Sequence, residues 1–172
     1  MMERPGDVTF QGNPLTAIGP KLKAGDKAPE FDLLANDLSP VKLSDSSGKV
    51  RLIISVPSLD TPVCDMETRK FNEHLDALGE RVAGFTISAD LPFAQARWCG
   101  AAGVKAMQSL SDHRDMAFGA AYGVHIKELR LDSRAVFVVD GGGILRYVEY
   151  VQEITNQPDY AAALDAVQRL LK

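Results

Sequence analysis

The 172-residue chain has 45% hydrophobic and 24% charged residues, which is the composition of a globular protein with a core. Its 19 basic and 23 acidic side chains give a net charge of −4, and this balance, with no basic run, argues against a nucleic-acid or anionic-membrane surface. No apolar run approaches the roughly 20 residues that span a bilayer, and no signal segment follows the first charges. We therefore expect a cytoplasmic protein with one domain, residues 1–172.

The first third of the chain is predicted to form short strand pairs. After a mobile end at residues 1–7, strands at 8–10 and 15–18 flank a turn, and a second pair lies at 31–34 and 41–43.

From residue 50 onward, strands alternate with helices. The predicted strands are the apolar runs at 50–56, 82–88, 107–110, 135–139 and 144–151. The predicted helices begin at Pro62, Pro92, Arg114 and Pro158. Strands that are separated by helices are expected to pair in parallel, and the hairpin at 135–151 adds antiparallel strands. We therefore predict an α/β fold: a mixed sheet with helices on both faces, preceded by N-terminal β-hairpins.

Cys64 is the leading candidate for chemistry, because it lies in the first turn of the helix that follows a buried strand. Pro62 at the first helical position, with a capping oxygen on Thr61 or Asp60, predicts this helix start. A thiol there lies among unpaired backbone N–H groups at the positive end of the helix dipole, which favours the thiolate. Thr61 precedes Cys64 by one turn, so its hydroxyl can approach the sulfur or the atom that the sulfur attacks.

Cys99 is the second candidate. The two cysteines are too far apart in the sequence for a C-x-x-C motif, and too few for a structural zinc site. Spacing alone leaves core packing and reactivity equally open for Cys99. A disulfide with Cys64 needs the two Cα atoms within about 7 Å, so one or both helix ends would have to unwind if they start farther apart.

Arg134 stands directly before the strand at 135–139. An arginine at a strand end is usually solvated. If it points towards Cys64, its guanidinium would stabilise the thiolate and hold a substrate oxygen. Arg69 and Arg97 are the alternatives.

Residues 57–64, Pro-Ser-Leu-Asp-Thr-Pro-Val-Cys, resemble the P-x-x-x-T-x-x-C signature of the peroxiredoxins. From about Val8 to the C-terminus, the chain is similar to the bacterial thiol peroxidases, which are atypical two-cysteine peroxiredoxins. Beyond the signature, the matching stretches are 10–14, 68–72, 88–95, 98–100, 121–124, 133–136, 153–155 and 158–160. T-x-x-C alone is a weak signal, but its combination with the SADLPFAQ block and the following cysteine is specific. Trp98 replaces the more usual phenylalanine, and 126–131 departs from the expected segment.

The resemblance implies that Cys64 is the peroxidatic cysteine and Cys99 the resolving one, and that the two form an intramolecular disulfide. Thr61 and Arg134 would complete the peroxide-activating set, and Pro57 would shield the substrate pocket. The resemblance also implies a thioredoxin-like fold, a homodimer, thioredoxin as the reductant, and no metal or organic cofactor.

The predicted activity is the reduction of hydrogen peroxide and alkyl hydroperoxides through a Cys64 sulfenic acid. A redox sensor whose thiol oxidises without fast turnover is one alternative, and a protein with inert packing cysteines is another. Steady-state peroxide consumption with thioredoxin and its reductase separates the enzyme from the sensor. A thiol count after stoichiometric peroxide treatment tests the inert protein.

Overall fold

The computed structural model describes residues 1–172 and contains eleven β-strands and four α-helices. The strands are β1 (Glu3–Phe10), β2 (Asn13–Ile18), β3 (Asp32–Leu34), β4 (Pro40–Lys42), β5 (Val50–Ser55), β6 (Val82–Ser88), β7 (Met107–Ser111), β8 (His125–Ile126), β9 (Leu131–Asp132), β10 (Ala135–Val139) and β11 (Leu145–Tyr150). The helices are α1 (Pro62–Leu78), α2 (Pro92–Ala102), α3 (Ala117–Tyr122) and α4 (Tyr160–Leu170). None of these helices combines the length and the apolar character that crossing a bilayer requires.

The larger sheet has seven strands in the order β11-β10-β5-β6-β7-β3-β4. β5, β6 and β7 run parallel, because α1 and α2 carry the chain back to the same edge between successive strands. The antiparallel hairpins β10–β11 and β3–β4 lie at the two sides of this parallel centre. The predicted mixed sheet is therefore confirmed.

Helices cover both faces of this sheet, as predicted. Leu52 and Ile54 of β5 pack in one apolar layer with α1 and α4, whereas Ile53 packs in the opposite layer with α3. Every residue of β5 is buried, because successive side chains enter alternate layers. The end of this strand consequently delivers α1 and Cys64 to the interior of the protein.

The N-terminal hairpin belongs to a second sheet, with the order β1-β2-β8-β9. The prediction of a mobile end at residues 1–7 is wrong, because β1 begins at Glu3. Arg4 fixes this end by donating hydrogen bonds to the carbonyls of Gly19 and Gly123 and by pairing with Asp7. The two short strands β8 and β9 were not predicted. They form a tight hairpin that encloses residues 126–131, the segment that departs from the expected sequence.

Helix α3 begins at Ala117, not at the predicted Arg114. The Asp112 carboxylate accepts hydrogen bonds from the backbone N–H groups of Phe118 and Gly119, at 3.0 and 2.8 Å, and so determines where the helix starts. Met116 has a left-handed backbone with φ of 55°, which prevents an earlier helical turn.

The bounds of two other helices also differ from the prediction. Helix α4 begins at Tyr160, two residues after Pro158, because the Asp159 carboxylate caps it through the N–H of Ala162 at 3.0 Å. Helix α2 begins at Pro92, as predicted, but it continues to Ala102, whereas the sequence predicts an end at about Trp98 or Cys99.

Candidate active site

Cys64 lies in the first turn of α1, where the sequence places it, and its side chain is fully buried. Pro62 occupies the first helical position, as predicted. The Cys64 sulfur accepts a hydrogen bond from Arg134 Nη2 at 3.3 Å. The first backbone N–H groups of a helix have no partner within it, so Cys64 lies at the positive end of the α1 dipole and in contact with a cation.

Arg134 connects β9 to β10 and is only 2% exposed. Its Nε and Nη2 groups both donate to the carbonyl of Ile154, at 3.1 and 2.8 Å. The backbone next to it is held by the Ser55 hydroxyl, which donates to the Ser133 carbonyl at 2.7 Å. The guanidinium is thus directed to Cys64 by contacts on two sides, and the predicted alternatives do not reach this sulfur. Arg69 pairs with Asp65, and Arg97 lines a surface groove.

Glu67 is a third member of this buried cluster, and it was not predicted. It lies one turn after Cys64 on the same face of α1, and its carboxylate pairs with Arg134 Nη1. Both side chains of the pair are buried, and Glu67 Oε1 has no hydrogen-bond partner. Position 67 shares a helical face with Cys64 and Phe71, but a glutamate on a helix does not by itself indicate burial.

The cluster contains one permanent cation and two groups that can carry a negative charge. Burial raises the pKa of Glu67 to about 7, although the charge and hydrogen bond of Arg134 act to lower it. Burial lowers the pKa of Arg134, but the neighbouring Glu67 and Cys64 outweigh this effect, so the net direction is upward. The guanidinium therefore stays charged, and the two acidic groups share it.

Thr61 is the N-cap residue of α1, but its predicted side-chain cap is wrong. Its hydroxyl donates to the Ser58 carbonyl at 2.8 Å, which closes the turn before the helix. The Asp90 carboxylate holds the same turn by accepting from the Ser58 hydroxyl and from the N–H of Leu59, at 2.7 and 2.8 Å. Pro57 is buried at the start of this turn.

Cys99 lies on α2 and is half-buried. Its sulfur is 3.0 Å from the Ser109 hydroxyl oxygen, and both cysteines are free thiols. The structure therefore brings Arg134 to Cys64 but holds the two sulfurs against different partners.

The N-terminal hairpin supports the arginine indirectly. Thr9 and Ile154 are joined by a backbone hydrogen bond of 3.0 Å, and Ile154 carries the carbonyl that Arg134 contacts. The Glu153 carboxylate adds hydrogen bonds from the Thr9 hydroxyl and the N–H of Gly12, at 3.0 and 2.7 Å. Residues from both ends of the chain thus fix the position of the guanidinium.

Comparison with known proteins identifies the family of this chain. The family model described as Redoxin matches residues 23–164. A thiol peroxidase of Halalkalibacterium halodurans is 58% identical over 164 residues, which cover 95% of this chain and 98% of that protein. A thiol peroxidase of Bacillus subtilis is 54% identical over 166 residues, which cover 96% of this chain and 99% of that protein.

A solved structure with a similar fold is that of a peroxiredoxin-like protein from Aquifex aeolicus. It has a TM-score of 0.88 and 42% sequence identity, and the match covers 95% of this chain and 96% of that one. The predicted thioredoxin-like fold is confirmed. The chain belongs to the Redoxin family and, within it, to the bacterial thiol peroxidases, which are peroxidase oxidoreductases.

Proposed function

We propose that this thiol peroxidase reduces hydrogen peroxide and alkyl hydroperoxides by direct attack of the Cys64 thiolate on a peroxide oxygen. An S–O bond forms while the O–O bond breaks, and the second oxygen leaves as water or an alcohol after taking a proton. Cys64 becomes a sulfenic acid. The contact of 3.3 Å between Arg134 Nη2 and the Cys64 sulfur, inside a buried cluster, is the observation that carries this proposal.

The surrounding groups have distinct roles in this step. Arg134 and the free N–H groups at the start of α1 stabilise the charge that develops on the leaving oxygen. The Thr61 hydroxyl donates its hydrogen bond to the Ser58 carbonyl. The lone pairs of the hydroxyl oxygen are therefore available to accept a hydrogen bond from the peroxide O–H. Pro57 excludes water from the sulfur, which strengthens each of these electrostatic contacts.

Cys99 resolves the oxidised enzyme. Its thiol attacks the Cys64 sulfenic sulfur, an S–S bond forms, and the sulfenic oxygen leaves as water with the thiol proton. Thioredoxin then reduces this intramolecular disulfide by thiol–disulfide exchange, which regenerates both thiols. No metal or organic cofactor takes part.

We infer that the alkyl part of hydroperoxides larger than hydrogen peroxide lies in a groove of about 550 Å³ beside the turn before α1. Half of its lining residues are hydrophobic, which suits an alkyl group. The lining residues are Ser58, Leu59, Asp60, Asp90, Ala94, Arg97, Trp98 and Ala101.

The working form in this proposal is a cytoplasmic homodimer in which residues 1–172 act as one domain. The resemblance to two-cysteine peroxiredoxins supports the dimer. Light scattering at micromolar concentration tests the dimer, because a monomer has half the expected mass.

Peroxide consumption in the presence of thioredoxin, thioredoxin reductase and NADPH tests the cycle. We expect Cys64→Ser to abolish turnover, and Cys99→Ser to permit one oxidation but no recycling. Mass mapping after one equivalent of peroxide should show a bridge between Cys64 and Cys99 in the wild type only. Full turnover of Cys99→Ser would overturn the resolving role, and turnover of Cys64→Ser would overturn the whole mechanism.

A further inference from the structure

The Ser109 hydroxyl is a buried polar group whose one hydrogen-bond partner is the Cys99 sulfur, at 3.0 Å. Ser109 is 2% exposed and lies on β7, two residues after Met107 on the same face of the strand. That face packs against the layer containing α1 and α4. The contact therefore fastens the second half of α2 to the sheet on the side where Cys64 lies.

The partners of the two sulfurs lie on strands that are not neighbours. Arg134 directly precedes β10, and β10 is separated from β7 by β5 and β6. Three interstrand spacings of about 4.8 Å amount to roughly 14 Å. The two cysteines are free thiols held from opposite sides of β5 and β6, so we expect their sulfurs to start apart. A disulfide requires sulfurs at about 2 Å and Cα atoms within about 7 Å, so we infer that one cysteine leaves its present partner before the bond forms.

Helix α2 is the element that costs less to displace. Only Pro92 and Gln95 are buried among its 11 residues, whereas α1 buries five side chains, including Cys64 and Phe71. Its other attachments are the partly buried Trp98 ring, which packs against the layer of α1 and α4, and a few polar contacts. Gln95 donates to the Leu110 carbonyl at 2.9 Å, and the Trp98 indole donates to the Asp65 carboxylate at 2.7 Å. An element with few buried apolar contacts opens at low cost in free energy.

We propose that Ser109 is a positioning residue for the resolving thiol. Its hydroxyl holds Cys99 against β7 while Cys64 is reduced, and release of this contact is part of the barrier to disulfide formation. This inference rests on the proposed function, in which Cys99 attacks the Cys64 sulfenic acid. Removing the hydroxyl should therefore accelerate disulfide formation, which is the second chemical step. The first step, the oxidation of Cys64 by peroxide, should keep its wild-type rate.

Rapid mixing of the reduced full-length protein with one equivalent of hydrogen peroxide tests this inference. Trp98, the only tryptophan, is adjacent to Cys99 and reports displacement of α2, and acid quenching with mass analysis counts the disulfide. For Ser109→Ala we expect disulfide formation to be about three- to tenfold faster, the factor that one side-chain hydrogen bond supplies. Because the sulfenic acid is then shorter-lived, this variant should also need more peroxide to reach the sulfinic acid.

Two further variants separate a role in positioning from a general loss of structure. Ser109→Thr keeps the hydroxyl and should retain the wild-type rate of disulfide formation. Thr86 lies beside Ser109 on the neighbouring strand β6, and its buried hydroxyl has no hydrogen-bond partner. Thr86→Val should leave the rates of Cys64 oxidation and of disulfide formation unchanged.

The inference is overturned if Ser109→Ala forms the disulfide at or below the wild-type rate, or if Ser109→Thr behaves like Ser109→Ala. If the wild type forms no disulfide between Cys64 and Cys99, the proposed function itself is wrong. The two failures are therefore distinguishable.

Discussion

Glu67 and Arg134 form an ion pair that is closed to solvent, and the same guanidinium contacts the Cys64 sulfur. In the proposed mechanism, this buried carboxylate, one helical turn from Cys64, competes with the thiolate for the shared guanidinium. The charge state of Glu67 is therefore linked both to stability and to the reactive sulfur.

The first prediction concerns the pH dependence of stability in Glu67→Gln. The pKa of Glu67 is raised by burial from 4.5 to about 7, so the folded protein binds a proton that the unfolded chain has already lost. The stability that protonated Glu67 contributes to the folded protein is fully present below about pH 4.5, and it is lost as the pH rises to about 7. Glutamine does not titrate. The free energy of unfolding of the wild type, minus that of Glu67→Gln, should therefore fall by on the order of 3 kcal/mol between pH 4.5 and 8.

Urea titrations of both proteins at intervals across this range measure the difference. A difference that is independent of pH would show that Glu67 keeps an ordinary ionisation in the folded protein.

The second prediction is that Arg134→Lys lowers the second-order rate constant of Cys64 oxidation by about a hundredfold or more. Lysine keeps the positive charge but cannot bind the Ile154 carbonyl, the Glu67 carboxylate and the sulfur at once. Competition with a peroxidase of known rate measures the constant. Arg146→Lys is the matched control, because Arg146 forms an exposed pair with Asp140 and should tolerate the change. Equal rates for Arg134→Lys and the wild type would remove the arginine from the mechanism.

The third prediction concerns two buried carboxyls beside α3. A methyl group added at Gly119 would lie 2.3 Å from Asp132 Oδ1 and 3.3 Å from Asp112 Oδ2, so both carboxyls face the same point. Burial raises the pKa of Asp112 to about 6, and burial together with the charge of Asp112 raises the pKa of Asp132 well above its usual range. Stability that depends on these protons is lost as the pH rises above the ordinary aspartate value.

Asp132→Asn should therefore raise the free energy of unfolding at pH 8 by about 1 kcal/mol or more, and have a smaller effect at pH 4. The amide can donate to Asp112 without any titration. Thermal and urea unfolding at both pH values provide the measurement, with the exposed Asp32→Asn as control. A variant that is less stable than the wild type at pH 8 contradicts this account.

The fourth prediction is that Glu153→Ala slows the oxidation of Cys64 by about tenfold, although residue 153 does not touch the sulfur. Glu153 ties the N-terminal hairpin to the segment whose Ile154 carbonyl orients Arg134. The Gly12 and Thr155 hydrogen bonds lower the pKa of Glu153 to about 2, so the carboxylate is ionised at every working pH. Stopped-flow oxidation of the reduced protein measures the rate. An unchanged rate would mean that Ile154 is held without the hairpin.

The unit formed by β5 and α1 could be predicted from the sequence, because its signals are local. An apolar run, a proline at the first helical position and a glycine after Leu78 mark the strand and the helix without reference to the rest of the chain. The position of Cys64 in the first turn follows directly from these signals.

The contacts of Arg134 could not be predicted, because its partners come from α1 and from the segment after β11. Spacing along the chain does not state which way a side chain at a strand end points. The same reason applies to Glu67, since a glutamate on a helix is usually solvated and only the fold shows that this one is enclosed. The start of β1 was missed because Arg4 is held by carbonyls of Gly19 and Gly123, far along the chain.

Thr9 and Glu153 are 144 positions apart in the chain, yet their contact is part of what directs the guanidinium to the sulfur. During synthesis, the ribosome must therefore release almost the entire polypeptide before the thiol acquires its cationic neighbour. Nascent chains that stop before residue 154 carry the nucleophile without the carbonyl that orients its arginine. Reactivity towards peroxide should consequently emerge only when the last part of the chain folds back onto the first.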